Sequence, residues 1–245
     1  MLLRNYEEAD ASYQQSLELS PDMTTTYSER LRNTLMWKGD LASSRVILAE
    51  AERQGKEGDT QRILATMRWR ILMDEGDYQA AENVVKSLRG DDVGDELFQS
   101  QFLYTPVTQM LGECEMLKGN TPKARQYYDS ARVQIERRIQ SAPDDARLYS
   151  ALGLAYAGLG RNAEAVTAGL RGVDMLPVEK EAWRGSFRLT DLAQIYAMTG
   201  EQDKAVDVLQ RLLSIPAEIS RVSLKMEPRW KPLHGNKRFQ QLVAG

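Results

Sequence analysis

The sequence predicts an all-α protein built from stacked helix pairs. Apolar residues recur at helical spacing along most of the chain, glycines separate these segments at repeated intervals, and prolines follow several of them. In the clearest unit, Tyr149, Leu152 and Tyr156 stand at i, i+3 and i+7, which places them on one face of a helix. Gly160 then predicts the end of this first helix, and Pro177 predicts the end of the second.

Small residues in this unit predict that its two helices pack closely. Gly153 and Ala165 stand where the antiparallel helices would touch, and together with the residues above they resemble the 34-residue tetratricopeptide repeat. The same phase recurs around four more glycines, Gly39, Gly76, Gly119 and Gly200. The resemblance implies an α-α superhelix of about five helix pairs, with a partial unit at the N-terminus and a cap at the C-terminus.

We expect one continuous domain. The array would cover residues 1–219, with units near 1–21 (partial), 22–56, 57–95, 96–145, 146–179 and 180–219, and a capping segment would cover residues 220–245. The late Pro143 predicts a long second helix from Thr121 to Ser141 in the fourth unit. Gly90 to Glu96 predicts a loop and a helix start, and the uncharged run from Leu97 to Gly112 predicts at most a buried helix.

The C-terminal tail carries a narrower resemblance. The segment Leu224–Leu233, with Lys237–Phe239 after it, resembles the closing segment of repeat regions in large bacterial signalling proteins. These include Ser/Thr kinases, nucleotide cyclases and membrane-anchored winged-helix regulators. We expect Trp230 and Phe239 to anchor this tail over the apolar face of the last helix pair, because the end of a repeat array must be covered.

The register of the first unit gives an expectation about the parent protein. Ala9 and Pro21 mark a second helix and its end, which places Met1 near the end of a first helix whose earlier turns would lie upstream. An apolar stripe at Ala9, Tyr13 and Leu17 would otherwise lack a partner. We therefore expect a longer protein with at least one further helix before Met1.

Composition disfavours two classes of partner. The net charge of −3, with acids and bases interspersed, lacks the basic excess of a nucleic-acid binder. No segment has the roughly 20 consecutive apolar residues that a membrane-spanning helix needs. The compartment stays open. A cytoplasmic protein is slightly favoured, and a periplasmic domain of a membrane-anchored protein is the alternative.

The sequence offers little for catalysis, metals or cofactors, and we predict none of them. The single histidine, His234, fits an exposed or packing role in the cap, and the single cysteine, Cys114, fits a buried apolar thiol, with a redox switch as the alternative. The acidic segment Asp91–Glu96 lacks the ligand spacing of a calcium loop, so its acids are interpreted as helix-capping residues.

The resemblance implies a partner site on the concave face, where groove positions of the family carry over as candidates: Glu29, Asn33, Trp37, Arg70, Met73, Glu113, Arg147, Phe187 and Gln194. Packing between neighbouring helices is the alternative role for Trp37 and Met73. The Lys, Asn and Arg set that holds a terminal carboxylate in chaperone-binding members is absent at these positions. We predict a scaffold or sensor module that binds a protein or peptide. The alternative is a regulatory domain of a larger bacterial signalling enzyme or transcription regulator, which contacts its own effector domain.

Overall fold

A computed structural model describes residues 3–55, 60–88 and 102–244, together with the backbone of residues 96–99. Its helices confirm the predicted fold class. They are α1 (Tyr6–Leu19), α2 (Thr24–Lys38), α3 (Leu41–Gln54), α4 (Thr60–Glu75), α5 (Tyr78–Ser87), α6 (Val107–Leu117), α7 (Thr121–Ser141), α8 (Ala146–Leu159), α9 (Asn162–Met175), α10 (Ala182–Thr199), α11 (Gln202–Ser214), α12 (Arg221–Met226), a 3₁₀ helix (Pro228–Leu233) and α13 (Lys237–Ala244).

Five tight turns divide the helices into pairs, α2/α3, α4/α5, α6/α7, α8/α9 and α10/α11, whose members pack against each other. A glycine occupies the left-handed backbone region in each turn, with φ between 65° and 83°, because a side chain at such a φ is sterically unfavourable. These glycines are the predicted ones: Gly39, Gly76, Gly119, Gly160 and Gly200. The predicted long helix also forms, since α7 runs from Thr121 to Ser141.

Helices α8 and α9 approach each other closely at Gly153 on α8. A Cβ atom added there would lie 2.5 Å from the Cδ1 atom of Ile195 and 3.0 Å from both the carbonyl oxygen of Ala165 and the amide nitrogen of Gly169. Two of these three neighbours are backbone atoms that cannot rotate away. The small residues of the repeat therefore set how closely α8 and α9 approach.

The prediction of a helix start near Glu96 is wrong, and the uncharged run from Leu97 forms a buried helix only from Val107. A two-stranded antiparallel ribbon forms instead, with β1 (Glu96–Gln99) paired to β2 (Tyr104–Pro106) and an irregularity between Glu96 and Phe98. Pro106 explains the late start of α6, because it has no backbone N–H and disfavours helical backbone at the residue before it. The predicted loop from residue 90 to 95 lies outside the described residues.

The C-terminal tail covers the last helix pair. Trp230 and Phe239 are 0% and 2% exposed and share a core with Leu209 and Leu212 of α11. The tail does not stop there, however. Helix α12 also packs against α2, near the other end of the array, where the side chains of Val222 and Met226 would lie about 3 Å from a Cβ atom on Gly39.

A buried charge network joins the second and third helix pairs. The carboxylate of Glu82 pairs with the ammonium groups of Lys86 and Lys118, and that of Glu115 pairs with Lys123 at 2.5 Å. Burial alone would raise the pKa of Glu82, but hydrogen bonds from Lys118 and Lys86 outweigh it and lower this pKa to about 2. The network thus gives two nearly inaccessible carboxylates ammonium partners, which is a structural role.

Gly153→Ala tests the close approach of α8 and α9. We expect a loss of roughly 1–3 kcal/mol in the free energy of unfolding, because backbone atoms must move to admit the methyl group. Gly235→Ala is the control, since nothing lies within 4 Å of its Cβ position and its φ is not positive. Urea denaturation of both variants gives the measurement, and equal stability of the two would contradict the packing described.

Candidate functional site

The concave face of the array encloses a cavity of about 1050 Å³, called the central cavity below. Its described lining comes from the first helices of the pairs (α2, α4, α6, α8 and α10), from α1, from the segment Phe102–Thr105 and from tail residues between Glu218 and Arg229. Helices α3, α5, α7, α9 and α11 contribute nothing to this lining. The repeat pattern therefore determines which helix of each pair faces the cavity.

Hydrogen bonds at the N-terminus hold the tail against the start of the array. The guanidinium group of Arg4 donates to the carbonyl oxygens of Leu212, Ile215 and Ile219 over 2.9–3.3 Å. The hydroxyl of Ser220 donates to the carbonyl oxygen of Met36 over 2.6 Å. These contacts join residues about 180–215 positions apart in sequence, so the segment before α1 is connected to α11 and the tail, and the tail is connected to α2.

A charge cluster completes this closure at the cavity wall. Arg70 on α4 contacts the carboxylate of Asp74 at 2.9 Å and that of Glu227, in the tail, at 2.5 Å, and Arg229 pairs with Glu227 as well. Burial opposes ionisation of Glu227, but the charges of Arg229 and Arg70 outweigh it and hold its pKa below the usual value. For Asp74 burial outweighs the attraction of Arg70, and its pKa is raised.

Aromatic side chains form one wall of the central cavity. The ring centroid of Phe102 lies 4.8 Å from that of Trp183 and 5.0 Å from that of Phe187, and all three rings line the cavity. This aromatic wall is held in place by Arg188, which is buried, donates to the carbonyl oxygen of Phe102 and pairs with Asp191. Trp183 is 46% exposed, so its ring is open to a partner.

Six of the nine predicted groove residues line the central cavity: Glu29, Arg70, Met73, Glu113, Phe187 and Gln194. Met73 is nearly inaccessible and contacts the thiol of Cys114, so it contributes to packing more than to open surface. Glu113 differs from the other lining acids in its surroundings. Burial raises the pKa of Glu113. The positive charges of Arg229 and Arg70 lower this pKa by less than burial raises it.

The other three predicted groove residues lie elsewhere, so their assignment to the groove is corrected. Asn33 is fully buried and its amide donates to the carbonyl oxygen of Tyr6, because α1 covers this side of α2. Trp37 stacks under the ammonium group of Lys38 at the end of α2. Arg147 is held by Asp145, the residue that caps its own helix.

The predicted tail residues Trp230 and Phe239 are inside the protein, so a partner cannot reach them. His234 is exposed and stacks on Phe239 with 5.7 Å between ring centroids, as the cap interpretation predicts. Cys114 is fully buried, as predicted, and burial raises the pKa of its thiol to about 12. A thiol with that pKa is a poor nucleophile at neutral pH.

The described residues show neither a metal site nor a membrane-spanning helix. They contain no group of three or more His, Cys, Asp or Glu side chains arranged to hold a metal ion. No helix in the described ranges is both long enough and apolar enough to cross a membrane. The acidic segment considered above as a calcium loop lies, from residue 91 to 95, outside those ranges.

The sequence predicted Phe187 of the aromatic wall, but it did not predict the other two rings, Phe102 and Trp183, or the role of Glu227 in the tail. Phe102 and Trp183 fall in segments that break the repeat period, and Glu227 lies outside the repeats. The groove positions carried over from the repeat family therefore do not include these three residues. The departures from the period were the available signal, because residues inserted between two helix pairs must lie at the edge of the concave face.

Comparison with known families agrees with this fold. Two family models, both described as tetratricopeptide repeat, match residues 1–23 and residues 189–215, near the two ends of the chain. No curated protein matches the chain. With the stacked helix pairs and their glycine turns, these matches support the assignment of the chain to the tetratricopeptide-repeat family. Repeats of this kind are protein-interaction modules in general.

Arg70→Ala tests the closure between α4 and the tail. We expect a loss of roughly 3 kcal/mol or more in the free energy of unfolding, because Asp74 and Glu227 would stay buried without their shared partner. Hydrogen exchange of residues 221–233 should accelerate as well. Arg45→Ala, which breaks the exposed pair with Glu75, should change stability by less than about 1 kcal/mol. Similar losses in both variants would argue against the closure.

Glu113→Gln tests the electrostatic state of the cavity. The pKa of Glu113 is raised in the folded protein, so its ionisation destabilises the fold as pH rises from the usual carboxyl range through the folded pKa. The variant should therefore melt at a higher temperature than the parent at pH 7, and the difference should close at acidic pH. Thermal denaturation measured against pH checks this, with the exposed Glu18→Gln as the control. A lower melting temperature at pH 7 would contradict it.

Proposed function

We propose that this protein binds a short, extended segment of another protein in the central cavity. The observation that carries the proposal is that the tail contacts α2 and α4 across the concave face, which bounds a partly open cavity there. Its volume of about 1050 Å³ lies near the upper end of the roughly 300–1000 Å³ that is usual for small-ligand sites. A segment of a few residues fits such a space, whereas a folded domain does not.

The lining supports a peptide as the ligand. Binding sites combine apolar surface with a few polar groups that fix orientation, and here the aromatic wall faces charged and amide side chains on α4 and α6. The combination suits side chains of mixed character presented on an extended backbone.

A cavity-filling variant tests the proposal. The probe is a pool of pentapeptides with randomised residues and blocked ends, incubated with the protein, and the retained peptides are measured by mass spectrometry after size exclusion. Gln194→Trp, on the lining, should reduce retention to background because the indole occupies the space that the peptide needs. Gln15→Trp on the exposed face of α1 adds the same bulk outside the cavity and should leave retention unchanged.

Circular dichroism of both variants verifies that they remain helical. Retention that survives Gln194→Trp would place the binding surface outside the cavity. No retention by the parent protein would overturn the proposal.

A further inference from the structure

The charges that line the central cavity are unbalanced. Seven acidic side chains and three arginines line its described part. Each of the three arginines is already ion-paired with lining carboxylates: Arg32 with Glu29 and Glu218, Arg70 with Asp74 and Glu227, and Arg229 with Glu227. An anionic ligand would therefore compete with these pairs. A cationic ligand would meet a lining in which carboxylates outnumber arginines.

Two lining acids, Glu8 and Glu113, form no ion pair with a described residue, and of these Glu8 accepts a hydrogen bond from the side-chain amide of Asn5. Among the described residues no side chain donates a hydrogen bond to Glu113 or forms an ion pair with it. Leaving a charged group partly buried and unpartnered costs free energy, which agrees with the raised pKa of this carboxyl. An approaching cation would remove that cost.

Gln109 supplies a second, independent observation. It lies one helical turn before Glu113 on α6 and lines the same cavity, so the two side chains share a face. Its side chain is 7% exposed, and its Oε1 atom has no hydrogen-bond donor within the described structure. Across the lining, the Oδ1 atom of Asp74 is also buried without a donor. Such buried acceptors are unusual in folded proteins unless a ligand or water satisfies them.

The aromatic wall adds a surface that favours a flat cation. Trp183, Phe102 and Phe187 line the cavity together with these acceptors. A guanidinium group stacks on aromatic faces, and it carries five N–H donors in a planar fork that suits a carboxylate and an amide oxygen. An ammonium group offers three donors on a compact centre and stacks less well.

We infer that the bound segment carries an arginine, whose guanidinium group donates to Glu113 and Gln109 and lies against the aromatic wall. This inference rests on the proposed function, because it specifies the ligand of the same cavity. The ligand is thus an extended peptide with a central arginine, and the negative lining selects it over an acidic peptide of the same length.

Three peptide pools test the inference. Each contains blocked pentapeptides with randomised flanking residues and a fixed central residue, which is arginine, its uncharged isostere citrulline, or glutamate. At low ionic strength the protein should retain the arginine pool at least about tenfold more strongly than the citrulline pool, as expected for hydrogen bonds to a charged group. The glutamate pool should be retained least. Added salt should reduce the arginine preference.

Matched variants locate the preference. Glu113→Gln should remove most of the advantage of arginine over citrulline, whereas Glu18→Gln removes the same charge from an exposed site outside the cavity and should keep it. Equal retention of the arginine and citrulline pools, with loss of both in Gln194→Trp, would overturn the arginine assignment and leave peptide binding intact. Retention of no pool would overturn the proposed function itself. An arginine preference that survives Glu113→Gln would place the cation elsewhere and also overturn this assignment.

Discussion

The contact of Arg70 with Asp74 and Glu227 is the constraint on which the closed form of this array depends. A single guanidinium group pairs with a carboxylate of its own helix and with one from the tail, almost at the opposite end of the chain. Both carboxylates are nearly inaccessible to water, and without Arg70 the carboxylate of Asp74 would lose its ion-pair partner while that of Glu227 would keep only Arg229. The positions of α4 and the tail are therefore linked, and this link bounds the central cavity.

The tail combines two kinds of interaction with different consequences. Its apolar residues, Trp230 and Phe239 among them, are buried against the last helix pair and cover an end that a repeat array cannot leave exposed. Its polar groups, from Glu218 to Glu227, reach instead to α2 and α4. Apolar burial is non-directional, whereas the hydrogen bonds and ion pairs define one register. The cap therefore also determines the shape of the concave face.

Closure changes the electrostatics of the lining. Charges in a partly enclosed space interact more strongly than charges in bulk water, so an unpartnered carboxylate such as Glu113 is more costly there and a matching cation gains more. The charge of Glu113 therefore lowers the stability of the fold, whereas the same charge would favour the binding of a cation. The raised pKa of Glu113 agrees with the cation-binding role proposed for it.

The sequence by itself determined the helix pairs and their glycine turns, because both follow from local backbone preference and helical periodicity, whereas the resemblance to the repeat family implied which helices face inward. Six of the nine groove candidates named from the sequence line the central cavity. Only the tertiary structure decided that Asn33 is covered by α1, that β1 and β2 replace a helix start, and that Glu227 meets Arg70. These depend on contacts between residues far apart in the chain, which spacing within one repeat cannot encode.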